Sequence, residues 1–80
     1  MKPRADVVRI YLRMPPGDSA YLKFIFESYE GIAVVRTVDR VSAIIVLIVV
    51  PDFLAVAREI LESLRIEVAW EEIPDPALDE

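Results

Sequence analysis

The sequence predicts an α+β domain with the element order βαββαβ, and three features of it carry that prediction. Val7–Met14 alternates between two kinds of side chain, as a half-buried strand does. Ser19–Glu30 and Phe53–Arg65 place apolar residues at helical spacing next to Pro or Gly punctuation. Between them Ala43–Val50 is an unbroken apolar run rich in Ile and Val, the composition of a strand covered on both faces.

In the first strand Val8, Ile10, Leu12 and Met14 point one way, and Val7, Arg9, Tyr11 and Arg13 the other. Pro15-Pro16-Gly17 breaks it, and Asp18 or Ser19 can cap a helix over Ser19–Glu30. Leu22, Ile25, Phe26 and Tyr29 form the stripe of that helix, with Tyr21 and Phe24 adding a second greasy aspect. Gly31 is its left-handed stop. A second strand, Ile32–Val38, reverses tightly through Val38-Asp39-Arg40 into the apolar run, so those two strands pair antiparallel. Pro51-Asp52 then breaks the chain and caps a second helix, Phe53–Arg65, with Phe53, Val56, Ala57, Ile60, Leu61 and Leu64 inward and Arg58, Glu59, Glu62 and Ser63 outward. A last strand spans Ile66–Ile73, which closes a single domain over 1–73 and leaves an acidic, Pro-interrupted flexible tail over 74–80.

Two right-handed split βαβ units interleave into a four-stranded antiparallel sheet of order 4-1-3-2 with both helices on one face, the ferredoxin-like arrangement. The apolar run is then central. Two helices cover one face only, so either Ala43, Ile45, Leu47 and Val49 or Ile44, Val46, Ile48 and Val50 lie on the helix-free side. At about 25 cal/mol per Å2, leaving such a set wet forgoes several kcal/mol, and a second copy of the chain is the expected cover. A homodimer or higher homo-oligomer follows. Arg9, Tyr11 and Arg13 share that open face with Glu67, Ala69 and Glu71 of the last strand. Arg9 and Arg13 either pair across strands with Glu67 and Glu71 or hold an anionic ligand or partner carboxylate. Ile66, Val68 and Trp70 point inward, Trp70 under the second helix with one acceptor needed for its indole N–H.

Composition excludes several chemistries. The formal charge of −5 opposes a nucleic-acid surface. Cys and His are both absent, which removes disulfides, thiol nucleophiles, His-dependent triads and the commonest transition-metal ligands. Asn and Gln are absent too, and Arg outnumbers Lys, as in thermophilic proteins or under GC-rich coding. The start M-K-P-R-A-D-V-V-R-I does not read as a signal peptide, and the apolar run falls short of the roughly 20 residues of a membrane span. A cytoplasmic location without membrane contact is expected. Glu27 with Glu30, Glu59 with Glu62, and Glu71 with Glu72 fall on solvated faces, so no metal site, cofactor or catalytic residue is assigned. P-P-G-D-S lacks the glycine spacing and the Lys of a phosphate loop, and Ser19 has no base beside it.

Pro16-Gly17 opening a helix, Gly31-Ile32 after it, and the strand pair and second helix to Leu64 together resemble the ACT domain, a small regulatory module that binds amino acids and similar effectors. The resemblance implies association of domain pairs through edge strands or helices, and a ligand site at Pro16, Gly17, Asp18 and Ser19 with Gly31 and Ile32. The segment Phe24–Arg40 also looks like a bacterial family of small stand-alone proteins known as a domain of unknown function. Together these imply a non-catalytic, homo-oligomeric binding or regulatory module, with a small effector at a subunit junction and Arg9, Tyr11, Arg13 and Arg36 available to a partner. A purely structural or protein-partner role is the alternative. A small enzyme using Asp18, Ser19, Arg13 or Arg36 is the remoter one, and an RNA-binding role fails on charge and on the lack of aromatics in the third strand.

Overall fold

A computed structural model describes residues 7–29 and 31–76. Glu30, with its pairing to Glu27, the charged start before Val7 and the tail beyond Pro76 lie outside the described residues. The elements are β1 (Val8–Arg13), α1 (Pro16–Glu27), β2 (Ala33–Asp39), β3 (Ile44–Val49), α2 (Leu54–Ser63) and β4 (Glu71–Ile73), in the expected βαββαβ order. They form one four-stranded antiparallel sheet, β2-β3-β1-β4, with β3 in the interior of the sheet.

Boundaries differ from the sequence reading where backbone groups find local partners. α1 starts at Pro16, before Ser19, because a proline in the first turn already has helical φ and gives up an N–H that would go unused. Asp18 and Ser19 are therefore inside the helix and cap nothing. The Asp18 N–H donates to the Pro15 carbonyl, and Ser19 Oγ donates to the Pro16 carbonyl at 2.9 Å. The helix ends at Glu27 with Ser28 in the right-handed conformation as its C-cap, so Gly31, although left-handed at φ +81°, is not its stop.

The reversal after β2 is wider than Val38-Asp39-Arg40. β2 runs on through a bulge between Thr37 and Asp39, whose Oδ1 accepts from the N–H groups of Val41 (3.0 Å) and Ser42 (3.3 Å). Ala43 then turns the chain with a φ of 59°, so β3 begins at Ile44. Nor does Asp52 cap α2: a 3-10 turn over Pro51–Phe53 leads into it.

The last strand is the largest correction. A 3-10 turn over Leu64–Ile66 follows α2, and the Leu64 carbonyl accepts from the N–H groups of both Glu67 and Val68. Those donors are consumed locally, Ile66 is left 90% exposed, and only Glu71–Ile73 pairs with β1.

Register fixes the two faces. Val8, Ile10 and Leu12 stand opposite Val49, Leu47 and Ile45, and Ala33, Val35 and Thr37 flank β3 on its other side. This is the helix-covered face. Leu12, Leu22, Phe26, Leu47, Val49 and Ala57 are fully buried there. The Trp70 indole donates to the Leu61 carbonyl at 2.8 Å, and the Arg65 guanidinium stacks 3.8 Å from the centre of its ring. Among the described residues no polar or charged side chain is buried, and no helix is long and apolar enough to cross a membrane.

Candidate binding face and cleft

The helix-free face is built in three rows, read across β2, β3, β1 and β4. At one end lie Asp39, Ile44, Arg13 and Glu71; in the middle Arg36, Val46, Tyr11 and Ile73; at the far end Val34, Ile48 and Arg9. Residues of even number in β3 thus face away from the helices, which settles the choice between its two sides. An apolar strip of Ile44, Val46 and Ile48 runs down the middle between long, charged or aromatic neighbours.

Those neighbours already do part of the work expected of a second copy. Ile44 and Val46 are only 8% and 7% exposed in the single chain. Arg and Tyr stems lie flat along apolar surface while their polar ends reach water. Exposure is concentrated instead at Val34 (51%), Val38 (44%) and Val50 (43%), toward the β2 edge and the end of β3.

Charge on this face runs against the molecule's. Arg13 approaches Glu71 at 3.9 Å across the β1–β4 pair, the expected ion pair in a loose form. Arg9 has no such partner, because β4 pairs with β1 only from Tyr11 to Arg13. Glu67, expected opposite Arg9, turns toward the helix layer and accepts from the Tyr21 hydroxyl, which raises the Tyr21 pKa above its ordinary value. Glu72 likewise serves the helix layer, where Arg58 grips both of its oxygens at 3.1 and 3.4 Å and is held more firmly protonated. Among the described residues neither the Arg9 nor the Arg36 side chain has a hydrogen bond or an ion pair. A groove of about 450 Å3 flanks the β1–β4 side of the face, lined by Arg13, Ile44, Glu71, Ile73, Pro74 and Asp75.

The six positions expected to hold a ligand do not converge in one chain. Pro16, Gly17, Asp18 and Ser19 lie at the end of the sheet marked by Arg13 and Ile44. Gly31 and Ile32 precede Ala33, which is opposite Val49 and hence level with Val8 at the other end. What Pro16 and Ser19 do line is a cleft shared with Thr37, Asp39, Arg40 and Ala43. The end of β2 and the turn after it supply those partners, and only the true length of that reversal, not its residue types, would have revealed them. At about 220 Å3 the cleft is below the roughly 300–1,000 Å3 of ordinary ligand pockets. No cluster of three or more His, Cys, Asp or Glu among the described residues could hold a metal ion.

No curated protein and no solved structure matches this chain. A family model does match it over residues 12–68, a span that includes the Phe24–Arg40 segment and every element from α1 to α2. The chain belongs to the family described as a domain of unknown function (DUF4911).

Proposed function

We propose that the chain is a non-catalytic, homo-oligomeric regulatory module of the ACT-like kind that binds an organic anion or an acidic partner on its helix-free face. The observation that carries this is the pairing of an apolar strip, Val46 and Ile48, with Arg9 and Arg36, which have no acid partner among the described residues. A guanidinium presents a planar fork that fits a carboxylate with two parallel hydrogen bonds. Ile48, which keeps more exposure than Val46, would take the hydrocarbon part of the same ligand. That no charged side chain is buried among the described residues supports the non-catalytic part, since a general acid or base is usually tuned by burial. A ligand that prefers one arrangement of the subunits would shift their equilibrium by its difference in affinity.

Thermal-shift screening with amino acids, organic acids and nucleotides tests this. A carboxylate at a hundred times its Kd should stabilise the fold by about 2.7 kcal/mol. The double variant Arg9→Ala, Arg36→Ala should keep the circular dichroism spectrum and lose that shift. An unchanged shift in the double variant would refute the assignment.

The cleft at Pro16 and Arg40 favours a second reading, in which the effector sits at a junction and a neighbouring copy completes the undersized pocket. Under it Arg40→Ala, rather than the sheet variants, abolishes the response. Stabilisation by no compound at all would leave the purely protein-partner role.

A further inference from the structure

We infer that two copies of this chain associate through the outer side of α1, antiparallel and about a two-fold axis. The inference rests on the self-association proposed above and names its surface. Leu22 and Phe26 fix the inner side of the helix, both with no exposed area. Phe24 is about 200° around the helix from Leu22 at 3.6 residues per turn, and it is 66% exposed. Gly17 and Ala20, both exposed, lie on the same outer side, and the ring of Tyr21, 40% exposed, borders it. A solvated helix would carry polar residues there.

Shape and charge both indicate the occupant. In an antiparallel pairing centred between Ala20 and Phe24, each Phe24 ring lies over Ala20 of the other copy, a large residue against a small one. A Cβ built on Gly17 would meet nothing within 4 Å, so the room for close approach is there. The same arrangement brings Glu27, which closes α1, to the opening turn of the other copy's helix. Glu27 sits at the negative end of its own helix, where a carboxylate is unfavourable, and the last turn holds no basic residue. The amino end of α1 has no side-chain cap on its N–H groups. Antiparallel pairing sets each Glu27 against the exposed Gly17 of the other copy's opening turn, whose own acid, Asp18, lies about 100° further round the helix. A helix of 12 residues is only about 18 Å long, so the contact falls short of the roughly 800 Å2 per partner of a stable complex, and a weak, concentration-dependent dimer follows.

Sedimentation velocity from low to high micromolar concentration tests it, with circular dichroism as the check on folding. Wild type should move from monomer to dimer. Phe24→Glu should weaken the dimer by about tenfold or more, and Glu27→Lys by about three- to tenfold. Val34→Glu, on the sheet face, should leave it unchanged. Should Phe24→Glu fail to fold, Ala20→Glu at an exposed helical position makes the same test. A wild-type dimer that survives both the Phe24 and the Ala20 substitution would overturn the α1 surface and leave self-association standing. A wild type that stays monomeric throughout would overturn both.

Discussion

Gly17, Gly31 and Ala43 show how far single positions can be read from backbone angles. Gly31 adopts φ +81°, and Gly31→Ala should cost about 1–2 kcal/mol. Gly17 is helical with open space where a Cβ would go, so Gly17→Ala should raise stability by about 0.5–1 kcal/mol. Ala43 occupies the left-handed region at φ 59° without being glycine. Ala43→Gly should relieve that strain and leave the Met14 N–H bond to its carbonyl in place. Urea denaturation of the three variants checks all three signs. Tyr21 adds a pH dependence. Its hydrogen bond to Glu67 raises its pKa in the folded state, so the stabilisation is complete below the unfolded value of about 10 and is lost as pH rises through the folded one. Tyr21→Phe should flatten that alkaline decline in a series of melts, and a decline of unchanged steepness would mean another group causes it.

Among the elements, the period-two alternation of β1 and the left-handed conformation of Gly31 were legible because each is a local signal, but α1 ends at Glu27, capped by Ser28, short of that glycine. Val8, Ile10 and Leu12 face the core as their alternation implies, and β3 is interior as its composition implies. What failed was competition between partners for the same backbone groups. Ile66, Val68 and Trp70 alternate as a strand would, yet the Leu64 carbonyl takes the N–H groups that pairing needed. Pro16 was itself a start signal for α1, hidden because Asp18 and Ser19 are better known as caps. The connection from α2 to β4 is held by Trp70 more than by ions. The Arg58–Glu72 and Arg65–Glu62 pairs are about half exposed and contribute at most about 1 kcal/mol each. Trp70→Phe removes the indole bond to the Leu61 carbonyl, which keeps the Leu64 N–H, and trims a buried ring, a loss of about 1–3 kcal/mol. A smaller loss than that of either ion-pair deletion would contradict this ranking.

At the scale of the whole molecule, the sequence implied a sheet covered by helices on one side only, and the structure has that form. The greasy run led to the further expectation that a second copy must shield the other side. Its force is reduced, because Arg13, Tyr11 and Arg36 flank Ile44 and Val46 and those two are nearly covered already. The candidate site was half legible. Arg9, Tyr11, Arg13 and Arg36 do share one face, since alternation decides which way a strand residue points. The split of Pro16–Ser19 from Gly31–Ile32 was not legible, because it depends on which end of the sheet each loop reaches. Arg9 and Arg36, which have no acid partner among the described residues, border the apolar strip, and the proposed binding of carboxylates rests on that face. The most direct test is a methyl-resolved NMR titration with an organic anion that stabilises the fold. Shifts centred on Val46, Ile48 and Ile73, with Leu22 and Leu61 quiet, are the predicted result, and shifts confined to the helix layer would contradict it.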